Sequence, residues 1–322
     1  MLVSRPNRFG RTAKFGKLDL AVQKNHKYAT VKFGKHNLAV RIMSSFFGRE
    51  NELETLKNLK SVGKSRFVAI KGRRRIGKSR LISEFSKSFQ KHLSFTGIPP
   101  SRGVTSQDLR EVFVQQMIIQ GFPNIKADDW SEVFYALSQE AKKGAVLVSL
   151  DEIAWMGSKD PAFLGKLKIA WDQMFSKNTR LVLVVASSIS SWIEKNILNS
   201  TGFFGRIDLT LTLEELEIKD CVKFWGSRQA NVSAQEKLRI LGVTGGIPKY
   251  LELINPKVSA EENIRQLCFM KSGFLFNEFE RIFHDLFSKR SEIYKKIVEE
   301  LSKHRSMSQR EISNAISIKL GR

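Results

Sequence analysis

The chain has 322 residues, 42% of them hydrophobic, enough for one large or two moderate domains with a buried core. Its longest apolar runs, Ala145–Leu150 and Leu181–Ala186, fall far short of the roughly 18–20 residues that cross a bilayer, so no membrane partner is expected. The net charge is +22; two isolated cysteines, Cys221 and Cys268, and five scattered histidines give no disulfide framework or metal-ligand spacing and fit a cytoplasmic protein.

Residues 1–42 differ from the rest of the chain. They carry ten Lys/Arg and one acidic residue, a net of +9, which leaves +13 for the other 280 residues. Both parts are basic, so DNA is a candidate partner, and a solubilising surface explains the charge equally well. Phe15-Gly16-Lys17-Leu18-Asp19-Leu20-Ala21-Val22 recurs as Phe33-Gly34-Lys35-His36-Asn37-Leu38-Ala39-Val40. The alternation allows short strands broken by glycine. Because Met43 stands just before the regular pattern, residues 1–42 are expected to be poorly ordered or non-native; a basic binding arm is the other reading.

The regular pattern then alternates. Helices are predicted over Glu50–Lys60, Ser79–Phe89, Ser106–Ile119, Trp130–Lys142 and Pro161–Phe175, the last with proline in its first turn. Strands are predicted at Arg66–Ile70, Leu93–Thr96, Ala145–Leu150, Leu181–Ala186 and Ile207–Leu211. Such alternation implies an α/β fold, a parallel sheet flanked by helices. Beyond about Thr212 strands vanish. Leu216–Trp225, Ala234–Leu241, Pro248–Ile254, Ala260–Met270 and Phe274–Phe287 read as helices, and Glu292–Ile318 as two more split by Ser306-Met307-Ser308. The expected organisation is a basic extension (1–42), an α/β domain (43–212), an all-helical lid (213–288) and a short last segment (289–322).

Gly72-Arg73-Arg74-Arg75-Ile76-Gly77-Lys78-Ser79 satisfies G-x-x-x-x-G-K-[ST] between a predicted strand and helix, the setting a P-loop requires. Phosphate oxygens need many donors at short range, and glycine lets the loop curl so that its amides point inward. The helix N-terminus adds positive potential. Lys78 is expected to reach the β- and γ-phosphates of ATP, and Ser79 to ligate Mg2+. The expected nucleotide-contacting set is Gly72, Arg73, Arg74, Arg75, Ile76, Gly77, Lys78, Ser79 and Arg80. The three arginines steer ATP or stand as solvated loop charges.

The apolar strand Ala145–Leu150 ends in Asp151-Glu152, a Walker B pattern. Asp151 suits the Mg2+ shell and Glu152 suits the general base that activates water. Ser187 and Ser188 follow the next apolar strand. A hydroxyl there, Ser187 first, senses the γ-phosphate or holds the water, or else caps the helix after it. The guanine signature N-K-x-D is absent, which favours ATP over GTP.

At these residues the sequence resembles the archaeal-type ATPase family, a branch of the STAND group within the AAA+-like P-loop ATPases. The likeness spans about Phe46 to Ile318. Phe47-Gly48-Arg49-Glu50 with Glu52-Leu53 resembles the opening F-x-G-R-E-x-E-L, and the arginine triplet resembles the family loop. Leu150-Asp151-Glu152, Ser187-Ser188, Phe204-Gly205-Arg206 and Gly245-Gly246-Ile247-Pro248-Lys249-Tyr250-Leu251 complete the ordered set, with Phe204 where the family has tyrosine. The resemblance implies a Mg-dependent ATPase that works as a nucleotide-dependent switch. It implies that Gly48 and Arg49 lie near the adenine and that Gly246 and Pro248 set the lid against the nucleotide. Arg206 would contact the γ-phosphate in cis or from a neighbouring copy, or form a structural salt bridge. A self-association or protein partner is compatible with it. The family continues into a winged helix, of which Ile293–Ser317 resembles only the first helices. An ATP-dependent DNA-binding regulator, with hydrolysis incidental, is the alternative.

Overall fold

The computed structural model describes residues 29–33, 36–40, 46–60, 63–99, 101, 103–278 and 291–316. They fall into two compact units, Met1–Ser45 and Phe46–Arg322. In the first unit β1 (Ala29–Phe33) pairs antiparallel with β2 (His36–Val40), from Ala29 opposite Val40 to Phe33 opposite His36. β2 covers the last five residues of the second copy of the repeat; the first copy lies outside the described residues.

The second unit opens with α1 (Glu50–Lys60) and then alternates through β3 (Arg66–Lys71), α2 (Lys78–Ser86), β4 (Lys91–Thr96), α3 (Ser106–Ile119) and α4 (Trp130–Glu140). It continues with β5 (Val146–Asp151), the single turn α5 (Ile153–Met156), α6 (Phe163–Gln173), β6 (Leu181–Ser187), α7 (Ser190–Ile193) and β7 (Leu209–Thr212). The five strands form one sheet in the order β4-β5-β6-β3-β7, every pairing parallel. The expected α/β architecture is therefore present. β6 lies between β3 and β5, so the phosphate loop and the acid pair leave the same sheet edge with one strand between them. Ligands of open α/β sheets sit at such carboxyl ends.

The central strands β3, β5 and β6 are apolar and buried along nearly all their length because both faces are covered, while the edge strands β4 and β7 are mixed. Successive side chains alternate: Phe67 and Ala69 join one cluster with Val148, Leu183, Trp130 and Phe113, while Val68 and Ile70 join another with Leu147, Val184, Leu81 and Phe85. Residues such as Trp130, Phe134 and Phe67 are fully buried, each worth roughly 1.5–3 kcal/mol by transfer. α6 begins at Phe163 rather than at Pro161. Asp160 takes the Ala162 amide at 2.9 Å, which leaves the proline in the preceding turn.

No strand occurs among the described residues after Thr212. The expected helix over Leu216–Trp225 is instead a short α8 (Ile218–Cys221) running into a 3-10 stretch, Val222–Asn231, kinked at Gly226 (φ 57°, ψ −134°). There follow α9 (Ala234–Thr244), capped by Ser233, then α10 (Pro248–Leu251) with proline at its start, and α11 (Ala260–Ile264), which continues as a π-helical turn. Residues 274–277 are turns, and the rest of the helix predicted over Phe274–Phe287 lies beyond Glu278, mostly outside the described residues. A smaller apolar cluster (Leu216, Phe224, Trp225, Ile240, Leu251, Ile254) holds this stretch together, with Phe47 packed against it. Finally α12 (Ser291–Lys303) and α13 (Gln309–Ala315) flank a turn closed by a Ser308–Glu311 capping box.

Candidate functional site

The phosphate loop leaves β3 at Gly72 and enters α2 at Lys78. At Gly72 (φ 151°) a Cβ would stand 2.5 Å from the Leu213 carbonyl oxygen, so only glycine lets the loop pass the exit of β7. Gly77 (φ 101°) turns the chain into α2 and offers no side-chain cap, which leaves first-turn amides for an anion. Ile76 is fully buried and anchors the loop in the core. Between them Arg75 holds φ 68°, a left-handed conformation that costs a non-glycine residue on the order of 1–3 kcal/mol.

Lys78, 5% exposed, donates to the carbonyls of Gly72 (2.8 Å) and Arg73 (3.1 Å), folding back along its own loop. Burial pushes its pKa below the usual lysine value, opposed by the nearby charges of Glu152 and Asp151 and reinforced by Arg74. Ser79 donates its hydroxyl to Asp151 Oδ2, and Asp151 Oδ1 accepts the Glu152 amide at 3.0 Å. A hydroxyl and a carboxylate meeting in this way are hard oxygen donors of the kind Mg2+ takes alongside phosphate and water. Among the described residues no group of three or more His, Cys, Asp or Glu could hold a metal.

Glu152 is the second non-glycine residue with positive φ (52°). Gly97 leaves room for it: a Cβ there would sit 2.5 Å from the Glu152 carbonyl oxygen. Its Oε2 accepts two bonds from Ser188, from the amide at 3.0 Å and from Oγ at 2.9 Å. Ser187, the serine expected to face the nucleotide, is fully buried, and its Oγ accepts the Ile189 amide at 3.1 Å. That contact is of the helix-capping kind, and strand alternation distinguishes the two serines. Ser188 shares the parity of Val182, Val184 and Ala186, which face the α2 side of the sheet, and Ser187 does not.

Arg73 and Arg74 of the arginine triplet are exposed and Arg75 is half-buried. Arg73 pairs with Glu215 at 2.8 Å, and Glu215 also accepts the Gly246 amide at 3.0 Å. The Arg74 guanidinium lies over the Trp155 ring at 5.5 Å. Arg75 pairs with Glu278 and lies over the rings of Phe274 (4.6 Å) and Tyr250 (5.8 Å). Arg80 stands half-buried on the first turn of α2. From the helical stretch, the Pro248 ring comes within 3.8 Å of a Cβ placed on Gly77.

Gly48 (φ 71°) and Arg49 line a cavity of about 460 Å³ with Glu214, Leu216, Asp220 and Lys223. Arg49 donates through Nη1 to Glu52 at 2.9 Å and through Nη2 to the Glu214 carbonyl and the Ile76 carbonyl at 3.4 Å. It thus ties the opening motif to the phosphate loop. Arg206 forms a bidentate pair with Asp172, Nε to Oδ1 at 2.7 Å and Nη2 to Oδ2 at 2.9 Å, the salt-bridge reading of that residue. Sequence reasoning missed Glu215, Trp155 and Glu278, whose link to the loop arises only by long-range packing.

Comparisons with known proteins bear on the family and the fold. A family model described as an ATPase domain predominantly from Archaea matches residues 46–254. An uncharacterized protein of Methanocaldococcus jannaschii is 26% identical over 210 residues, 65% of this chain and 44% of that one. The chain therefore spans less than half the length of this curated relative. A Walker-type ATPase of Pyrococcus abyssi has the same fold, with a TM-score of 0.59 at 17% identity over 84% of this chain and 88% of that one. A STAND protein with a tetratricopeptide-repeat sensor from Pyrococcus horikoshii matches at a TM-score of 0.41 and 15% identity, over 84% of this chain and 37% of that one. With its P-loop NTPase sheet and a family match that runs from the opening motif to Ile254, this chain belongs to the family of ATPase domains found predominantly in Archaea.

Proposed function

We propose that the chain is a Mg-dependent ATP hydrolase of the STAND/AAA+ type, in which residues 43–212 bind and cleave ATP and the helical lid, 213–288, responds to the nucleotide. The observation that carries this reading is the placing of Glu152 beside the Ser79–Asp151 pair, with both acids close enough to act on the charge of Lys78. Lys78 and the first-turn amides of α2 would hold the β- and γ-phosphates. Ser79 and Asp151 would hold Mg2+, which when bound neutralises phosphate charge. Glu152 would take the proton from the attacking water. Because both Ser188 bonds fall on Oε2, Oε1 is the oxygen left to do so. Arg206 would reach phosphate only after leaving Asp172.

The test is phosphate release together with nucleotide binding. Glu152→Gln should cut turnover by at least about 10²-fold, the scale of a lost general base, while still holding ATP. Lys78→Ala should lose ATP binding itself. A Glu152→Gln protein that turns over like the parent, or a Lys78→Ala protein that holds ATP as tightly, would defeat the proposal.

The net charge of +22 supports a second reading, an ATP-dependent DNA-binding regulator using residues 289–322 as a partial winged helix. Binding through phosphate contacts should weaken steeply with salt. No uptake of duplex DNA at low salt would end that reading.

A further inference from the structure

Arg75 poses a problem that its own loop does not solve. It occupies a left-handed position in the middle of the phosphate loop, where glycine would sit without strain. A strained residue persists only where its surroundings hold it. What holds Arg75 lies about two hundred residues away in sequence. Glu278, 5% exposed, pairs with its guanidinium. The Tyr250 hydroxyl donates to Glu278 Oε1 at 2.6 Å, and the rings of Tyr250 and Phe274 flank the cation. Tyr250 belongs to α10, which begins at Pro248, whose ring would lie 3.8 Å from a Cβ placed on Gly77. The helical stretch thus holds the phosphate loop through Glu215 on Arg73 and through Glu278 on Arg75, and at the second a buried, charge-assisted network fixes an unfavourable backbone angle.

We infer that Glu278, oriented by Tyr250, is a positioning residue that keeps the phosphate loop curled through Arg75, so that it sets nucleotide affinity without touching nucleotide. This rests on the reading of the loop as a nucleotide grip. Without Glu278, Arg75 relaxes out of the left-handed region and the loop amides diverge. ATP and ADP, which share the β-phosphate, should then weaken together. Single-turnover cleavage of bound ATP should keep its rate, because Asp151 and Glu152 follow β5, across β6 from the loop, and Ser188 at the end of β6 bonds Glu152 and not Arg75.

The test measures ATP and ADP affinity by titration calorimetry for the full chain, with circular dichroism and thermal melting alongside. Glu278→Gln is expected to weaken both nucleotides by roughly tenfold. Tyr250→Phe, which keeps the ring and removes only the hydroxyl, should weaken them by a smaller factor. The deciding arm is Arg75→Gly, since glycine holds φ 68° unaided: in that background Glu278→Gln should change affinity by less than about twofold. A folded Glu278→Gln protein that binds both nucleotides like the parent overturns the inference. So does an equal loss in the Arg75→Gly background, which marks Glu278 as merely structural. A parent that takes up no nucleotide overturns the underlying reading, and this inference with it.

Discussion

Residues 66–212 bury large aromatics against five parallel strands, whereas residues 213–278 gather short helices and turns around a smaller cluster. In the first stretch position is set by a hydrogen-bond ladder. β3 and β6 pair continuously from Arg66 opposite Val182 to Lys71 opposite Ser187. In the second, position is set by single long-range contacts such as the Leu216 amide on the Gly246 carbonyl at 2.8 Å. The difference teaches where order is redundant. A ladder survives the loss of one rung, while a helix of one turn depends on what it leans against.

Matched core truncations can break this distinction. Leu81 and Leu251 are both fully buried, in the sheet clusters and in the helical cluster respectively. Leu81→Ala should lower the global unfolding free energy by about 2–5 kcal/mol. Leu251→Ala should take less from the global figure and instead speed amide exchange in residues 216–260. Equal global losses with uniform exchange would erase the contrast.

Acid sharpens it more gently. Asp129 is held at a pKa of about 2, first by the hydrogen bond from Lys166 and then by Ser131, and so staples α4 to α6. Its folded pKa lies below the unfolded value near 3.8, so this stabilisation is present above about pH 4 and is lost as pH falls toward 2. Glu262 is also held at about 2, chiefly by Arg265 three residues away on its own helix. Asp129→Asn should flatten the acid limb of the stability curve visibly, and Glu262→Gln much less, because only the first bond joins separate elements. Indistinguishable acid limbs would argue against a special role for inter-element bonds in the sheet half.

Legibility in the sequence divides along the same line. The central strands β3, β5 and β6 show as apolar runs, because a strand buried on both faces has no polar alternation to hide it, whereas the edge strands β4 and β7 alternate. Gly72–Ser79 and Asp151-Glu152 were legible because their chemistry is local. The choice between Ser187 and Ser188 was not, since it turns on strand parity at the end of β6. The boundaries after Thr212 slipped because α8 stops where Gly226 and packing demand, not where apolar spacing ends. The partners of Arg73 and Arg75 were invisible for the same reason: ion pairs across such chain separations leave no local trace.

The interposed strand β6 has one more consequence. Neighbouring strands sit about 4.8 Å apart, so the loop-bearing and acid-bearing strands are separated by roughly 10 Å of rigid backbone. Interior side chains can therefore drift over evolutionary time without altering that gauge, whereas a single-residue insertion in β6 would rotate the tandem serines by one place. A serine would still meet Glu152 after such a slip in one direction, which makes the doubled hydroxyl a tolerance built into the frame.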